Sequence, residues 1–168
     1  VKVVVIPTPV SFEEICAQTV QIGELLGNTK ETREIVNNIR LDVDSLKRKF
    51  QGNKSKIKMF FELGANPVFT VLENTFMNDF ITFCNGENIA AGMRKGTITR
   101  ENVVVKDPDV IIIATMGGFG EEEMYVWKGY KEITAVKNNM VFLVDSETAC
   151  VPTPDNFLKA FSDIVNFV

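Results

Sequence analysis

Residues 107–127 read DPDVIIIATMGGFGEEEMYVW, and this stretch decides the fold. The run of β-branched apolar residues at 109–115 predicts a buried strand. Glycines follow at three of the next positions, and the three glutamates at 121–123 predict the start of a helix spanning about 122–130. A strand, a glycine turn and a helix in this order indicate an α/β domain.

The same alternation extends in both directions along the chain. Strands are predicted at 3–6, 57–63, 109–115 and 140–144, with an irregular segment at 64–74. Helices are predicted at 11–26, 29–50, 76–84, 100–105, 122–130 and 154–168, and their predicted N-terminal caps are Ser11, Thr75, Thr99 and Thr153. The pattern predicts a three-layer αβα lobe with a mainly parallel sheet, preceded by a long helix.

The predicted helix at 29–50 is long enough to serve two purposes. About 22 residues at 1.5 Å each give a rod of roughly 33 Å. Its apolar residues recur at spacings of three and four, and they are Ile35, Ile39, Val43, Leu46 and Phe50. Such a helix either lies on the surface of a domain or connects two lobes, and its pattern alone leaves both open.

Composition excludes several classes of function. The 168 residues carry 18 Lys and Arg against 22 Asp and Glu, and no basic stripe marks a nucleic-acid partner. The longest strongly apolar run, 110–116, is too short to cross a bilayer. The sequence has no histidine, which removes most zinc sites and Ser-His-Asp triads. Its three cysteines form no CxxC pair, so they predict no disulfide framework.

The glycine turn allows three interpretations. Gly118 and Gly120 match the first two glycines of a dinucleotide-binding fingerprint, but Glu123 occupies the position of the third. Three glutamates would also repel a phosphate at this helix start. They could instead simply complement the helix dipole. The third interpretation is an exposed acidic surface that docks on a basic partner.

Several longer motifs carry a family resemblance. They are VVVIPTPVSFEEI at 3–15, ENTFMNDFITFCNGENIA at 73–90, ENVVVKDPDVIIIAT at 101–115 and TAVKNNMVFLVD at 134–145. In this order they resemble the periplasmic binding proteins that serve ABC importers for ferric siderophores, haem and vitamin B12. The resemblance covers nearly the whole chain.

The resemblance implies two α/β lobes joined by one long helix, with the ligand between them. Residues 1–28 would be the end of a missing N-terminal lobe, 29–52 the connecting helix and 53–168 the C-terminal lobe. It further implies a periplasmic or extracytoplasmic location, with a lipid anchor at the missing N-terminus. A fragment of this kind would expose its first strand, so we expect self-association through residues 1–10.

The resemblance also implies two functional surfaces. In this family an exposed glutamate on each lobe docks on arginines of the membrane permease, and the candidates here are Glu121, Glu122 and Glu123. Ligand contacts are expected at the carboxyl ends of the strands, where α/β sheets bind their ligands. The candidates are Glu62, Asn66, Phe69, Glu73, Met116, Gly117, Phe119, Ala149 and Val151, for which core packing is the alternative.

The expected ligand is a metal chelate, and no resident cofactor or metal ion is expected. Without histidine, the lobe offers no imidazole to haem iron. One rival interpretation is a nucleotide- or cofactor-using enzyme with catalytic carboxylates at Glu62, Glu73 or Asp145. Another is a self-assembling regulatory domain that uses the 29–50 helix as a coil, although five apolar positions make no sustained heptad pattern.

Overall fold

The computed structural model describes residues 3–52, 55–114 and 120–168. Within these ranges the strands are β1 Ile57–Ala65, β2 Val68–Thr70, β3 Gly86–Asn88, β4 Val110–Ile113 and β5 Val141–Leu143. One edge of β1 pairs in parallel with β4, which pairs in parallel with β5. The other edge pairs in parallel with β3 at its start and antiparallel with β2 at its end.

Helices cover both faces of this sheet. They are α1 Phe12–Leu25, α2 Thr29–Lys47, α3 Asn78–Phe83, α4 Arg100–Lys106, α5 Gly120–Lys128, α6 Thr134–Lys137, α7 Ser146–Ala149 and α8 Pro154–Phe167. Residues of α1, α2, α3 and α8 share one core with one face of the sheet. Residues of α4, α5 and α6 share a second core with the other face. The predicted three-layer α/β fold with a mainly parallel sheet is confirmed.

Strand β4 shows why the apolar run forms the centre of the fold. Successive side chains of a strand point to opposite faces, so Ile112 enters the first core and Ile111 and Ile113 enter the second. All four residues of β4 are buried. A strand with helices on both sides has no solvent-facing positions, and this accounts for an unbroken apolar sequence rather than an alternating one.

Aromatic rings fill the core between the sheet and α8. The ring of Phe157 lies 4.5 Å from that of Phe12 and 4.4 Å from that of Phe80, measured between centroids. Phe157 therefore joins α8 to α1 and α3. Truncating such a fully buried ring to alanine costs about 3–5 kcal/mol in proteins generally.

The first two helices form a close pair. A Cβ built on Gly23 would lie 2.3 Å from Thr32 Oγ1, so only glycine permits this approach of α1 to α2. An ion pair of 2.8 Å between Arg40 and Glu13 also joins them. Both helices share the core beneath α8. The proposed division at residues 28 and 52 stays a prediction.

The buried face of α2 differs from the predicted one by one residue. Val36 is fully buried, whereas Ile35 is 59% exposed. Val43 and Phe50 are buried as predicted, and Ile39 and Leu46 pack against the same core. The helix ends at Lys47, and a 3-10 turn continues to Phe50.

Three local predictions were wrong, one of them only in part. The segment at 3–6 is not a strand, because it pairs with none of the described strands and its side chains are exposed. The segment at 64–74 is irregular only in part, since it completes a hairpin through β2 and belongs to no helix or strand after Thr70. Thr75 does not cap a helix, because its hydroxyl donates to the Leu72 carbonyl and α3 begins three residues later.

The other predicted caps are confirmed. The hydroxyls of Ser11, Thr99 and Thr153 accept hydrogen bonds from backbone N–H groups in the first turns of α1, α4 and α8. Pro154 occupies the first turn of α8, where its missing N–H costs nothing. Among the described residues, every helix is too short or too polar to cross a membrane.

Candidate ligand-binding edge and docking helix

The carboxyl end of β1 turns into a hairpin at the predicted ligand-binding edge. A cis peptide bond joins Asn66 to Pro67 at the turn between β1 and β2. Asn66 is exposed at its tip. Beyond β2 the segment at 96–98 covers the outer edge of the hairpin, since the Ile98 N–H donates to the Val68 carbonyl at 3.1 Å. Because this segment pairs with the backbone of β2, a partner would contact the side chains of the hairpin rather than its backbone edge.

Phe69 presents an aromatic ring on this hairpin. Its side chain is 44% exposed, which is unusual for phenylalanine. The far end of the ring lies over Gly96, where an added Cβ would come 2.6 Å from Cζ. Gly96 thus provides the space in which the ring rests. The position combines a fixed ring with an accessible surface, which suits a flat apolar ligand.

Two further predicted contacts lie at exposed positions. The Glu73 carboxylate accepts a hydrogen bond of 2.7 Å from the Gly92 N–H and remains exposed. Val151 is 41% exposed after α7. Both remain predictions as ligand contacts. Met116, Gly117 and Phe119 lie outside the described residues.

Two of the predicted contacts are corrected by their burial. Ala149 is fully buried in the first core, because the segment after β5 forms the short helix α7 and turns this side chain inward. Glu62 is also fully buried. Its backbone pairs with Ile113 of β4 and Thr70 of β2, which places its side chain beneath α5. Neither side chain has the accessible, cleft-side position that was predicted.

Helix α5 separates the three candidate docking glutamates. Glu121 and Glu122 are exposed in its first turn. Glu123 is 4% exposed and pairs with Arg100 of α4. Successive helical residues differ by about 100° around the axis, so Glu123 points inward with Trp127, four residues later. The prediction that Glu123 lies on the exposed docking surface was wrong.

Four buried or nearly buried residues form what is called here the carboxyl cluster: Glu62, Arg100, Glu123 and Trp127. Trp127 donates its indole N–H to Glu62 Oε2, and Arg100 donates to Glu123 Oε1. The Arg100 guanidinium also lies 5.0 Å from the centre of the Trp127 ring. Its second terminal nitrogen reaches the Ala65 carbonyl at 3.5 Å. The cluster therefore joins the hairpin, α4 and α5.

Burial dominates the electrostatics of Glu62. It raises the pKa of this carboxyl to about 8, with a further rise from the nearby Glu123, against the lowering effects of the Trp127 hydrogen bond and of Arg100. Oε1 of Glu62 has no hydrogen-bond partner among the described residues. A neutral acid fits this position better than a carboxylate, because an ion with an unpaired oxygen is costly to bury.

No pattern in the sequence predicted this cluster. One signal was available, namely a tryptophan four residues after Glu123 in a predicted helix that covers a sheet. An apolar indole at that spacing indicates the inward face of the helix. Nothing in the sequence pointed to Arg100, which lies directly after the Thr99 cap of α4.

The other candidate reactive groups are occupied or protonated. Asp145 accepts from the Glu147 N–H as the N-cap of α7. Burial raises the pKa of the Cys84 thiol to about 12 and that of Cys16 to about 11. Within the described ranges, no group of three or more acidic or cysteine side chains has the arrangement of a metal site.

Comparison with known protein families explains this architecture. Residues 1–148 match the family model described as periplasmic binding protein. The chain belongs to this family. The family resemblance found in the sequence is therefore confirmed, and the comparisons give no support to the enzyme alternative.

Two curated relatives show the extent of the match. A vitamin B12-binding protein of Vibrio parahaemolyticus serotype O3:K6 (strain RIMD 2210633) is 24% identical over 146 residues, which cover 86% of this chain and 52% of the relative. The uncharacterized ABC transporter substrate-binding lipoprotein YvrC of Bacillus subtilis (strain 168) is 28% identical, with 82% and 44% covered. The chain spans about half the length of these relatives.

A solved structure agrees with this assignment. The chain superposes with a TM-score of 0.83 on a possible iron-binding (periplasmic solute-binding) protein from Staphylococcus epidermidis ATCC 12228. The two are 25% identical, and the match covers 99% of this chain and 66% of that protein.

Proposed function

We propose that this protein is a substrate-binding component of an ABC importer that carries a metal chelate such as a ferric siderophore, haem or cobalamin. Family membership supports the transport role, and the names of the relatives supply the ligand class. Binding and release require no catalytic group, which agrees with a carboxyl-end edge where Glu62 is buried and Asp145 serves as a helix cap.

The observation that carries the ligand proposal is the exposed ring of Phe69 at the carboxyl end of the sheet. Macrocyclic chelates present broad, largely apolar faces, and a fixed aromatic ring stacks on such a face with little loss of side-chain freedom. Asn66 and Glu73 stand on the same segment and would contribute polar contacts, and the exposed Val151 is proposed as a further apolar contact. We keep Met116, Gly117 and Phe119 as proposed contacts.

Permease docking is proposed for Glu121 and Glu122. Both carboxylates are exposed in the first turn of α5, where they can reach a cationic partner without desolvating a core. Exposed charges of this kind steer association and fix its register. Their partner would be an arginine- or lysine-bearing surface of the membrane permease.

Two finer aspects of the family role also remain proposals. Family membership supports a location outside the cytoplasmic membrane, and the lipoprotein name of one relative supports a lipid anchor. Self-association through residues 1–10 is supported by the exposure of Val3 and Val5, at 79% and 84%.

A titration tests the ligand proposal. Cobalamin, haemin and a ferric hydroxamate are each added to the protein, while its fluorescence is followed with an inner-filter control. We expect saturable quenching by one chelate and at least tenfold weaker binding in Phe69→Ala, the loss of about 1.4 kcal/mol.

Phe167→Ala provides the matched control. This ring is 38% exposed, stacks on Phe142 and lies at the far end of α8. Equal losses in the two variants would argue against a specific role of Phe69. The absence of binding of any of these chelates to the protein would overturn the proposed ligand class.

A further inference from the structure

The buried carboxyl cluster has more negative than positive groups. Glu62 and Glu123 are the two acids, and Arg100 is the base. The side chains of Glu123 and Arg100 are 5% and 18% exposed, so solvent screens their charges weakly. The cluster is neutral only when one of the two acids carries a proton.

The hydrogen bonds identify the acid that carries it. Glu123 accepts a hydrogen bond from the guanidinium of Arg100, and this charge-assisted contact stabilises the ionised form of Glu123. Glu62 accepts a hydrogen bond only from the neutral indole N–H of Trp127, at Oε2. Its second oxygen, Oε1, has no hydrogen-bond partner among the described residues. A protonated Glu62 would turn that oxygen into a donor that can face the Glu123 carboxylate.

No other described group replaces the proton at Glu62. On β2 the Thr70 hydroxyl is engaged with the Phe61 carbonyl at 2.9 Å. On β4 the neighbouring residue is the apolar Ile113. The titratable and charged groups facing Glu62 are Glu123 from α5 and Arg100 from α4, and Tyr130 after α5 lies near Arg100.

The cluster also connects the β1–β2 hairpin to helix α5. Arg100 reaches the Ala65 carbonyl at the end of the β1–β2 hairpin, and the same side chain contacts Glu123 and Trp127 on α5. Trp127 in turn contacts Phe60 of β1, with 5.5 Å between ring centroids. These contacts lie on the inward face of the helix whose outward face carries Glu121 and Glu122.

We propose that the carboxyl cluster holds a single proton on Glu62 and, while protonated, fixes helix α5 to the β1–β2 hairpin. Glu62 and Arg100 are then positioning residues for the outward face of α5. Loss of the proton to solvent leaves one uncompensated negative charge between the sheet and the helix, and α5 loosens. Any effect of this proton on permease docking rests on the function proposed above. The proton on Glu62 and the loosening of α5 after its loss do not.

Trp127 permits a direct test of whether Glu62 carries the proton. It is the one tryptophan of the 168 residues, so the indole N–H gives a single resonance in a ¹⁵N NMR spectrum. We expect this resonance to shift with pH in one step with a midpoint near 8, because its acceptor changes charge. The Glu62→Gln variant keeps an oxygen acceptor and should lose the step.

Glu122→Gln is the matched control, because it removes an exposed carboxylate one residue from the cluster. It should keep the step unchanged. A wild-type indole resonance without a step between pH 6 and 9.5, or a step that persists in Glu62→Gln, would overturn the proton assignment. The wild-type titration decides this even if the variant fails to fold.

Hydrogen exchange tests whether the proton on Glu62 fixes helix α5. Relative to the intrinsic exchange rate at each pH, the amides of α5 should exchange roughly tenfold faster at pH 9 than at pH 6.5. The amides of α8, on the opposite face of the sheet, should show no such change. Glu62→Gln should abolish the difference in α5. Equal behaviour of α5 and α8 would overturn the positioning role, and neither experiment depends on a ligand or a permease.

Discussion

The two faces of helix α5 carry the same residue type in opposite environments. Glu121 and Glu122 are exposed, whereas Glu123 is nearly buried against Arg100. A rotation of about 100° per residue is enough to separate a solvent-facing charge from one that must be paired. Three adjacent glutamates therefore occupy two environments, one at the surface and one within the fold.

The largest effect on stability should come from removing Arg100, the partner of the inward-facing Glu123. Arg100→Leu leaves Glu123 without its cation beside the buried Glu62, and we expect a loss of about 3 kcal/mol in the free energy of unfolding. Urea unfolding at pH 7 measures it as a lower midpoint at constant slope.

Arg94→Leu is the control for this loss, because Arg94 is an exposed arginine in the loop before α4. Its effect should stay within about 0.5 kcal/mol. Similar losses in the two variants would show that the inward pair contributes nothing beyond an ordinary surface charge.

A second prediction concerns the pH dependence of stability. The pKa of Glu62 is raised in the folded state, so the folded chain binds more protons than the unfolded chain between pH 4.5 and about 8. Glu62 should therefore make stability fall with rising pH across this window, by up to about 1.4 kcal/mol per unit.

The difference between wild type and Glu62→Gln isolates this contribution. Urea unfolding at several pH values from 5 to 9 should give a shallower pH dependence for the variant. Parallel curves for the two proteins would contradict a buried, protonated Glu62. Asp79, whose pKa burial also raises, affects both curves equally.

The outward glutamates should affect association rather than folding. Glu121→Arg and Glu122→Arg together should weaken binding to the permease by roughly tenfold or more, with a weaker salt dependence, because charge attraction becomes repulsion. The unfolding midpoint should change little, since both positions are exposed. Binding to permease in lipid nanodiscs at two salt concentrations measures the effect, and an unchanged affinity would exclude these glutamates as the docking surface.

The smallest effect on stability is expected at the exposed apolar segment before α1. Val3→Ser with Val5→Ser should change the free energy of unfolding by less than about 0.5 kcal/mol, because both side chains lie in solvent. The same change should reduce any self-association of the chain. Sedimentation at rising concentration measures it, and a monomeric wild type would refute self-association through residues 1–10.

The fold could be predicted well from the sequence because its strongest signals are local. The apolar run of β4, the caps of α1, α4 and α8, and the period of α2 each depend on a few neighbouring residues. Strands β2 and β3 were missed because each has three residues, too few for a period to show. They form because β1 offers them an edge.

The candidate site was predicted less well. Asn66, Phe69 and Glu73 were expected at the carboxyl edge, and all three are exposed, while their role as ligand contacts stays a prediction. Ala149 and Glu62 were assigned to the same edge by their position after or within strands, yet their side chains point into the two layers beside the sheet. Position along a strand identifies an edge and a face, but a side chain's burial depends on what packs over it.

The α/β class, the longer helices, strands β1 and β4 and the family follow from the sequence alone, since these depend on periodicity, capping and motif order. Only the tertiary structure decided which glutamate of α5 faces Arg100 and that Glu62 lies against Trp127. The physical reason is that burial and pairing arise between residues far apart in the chain. Residues 62, 100, 123 and 127 come together only when the sheet and two helices have packed.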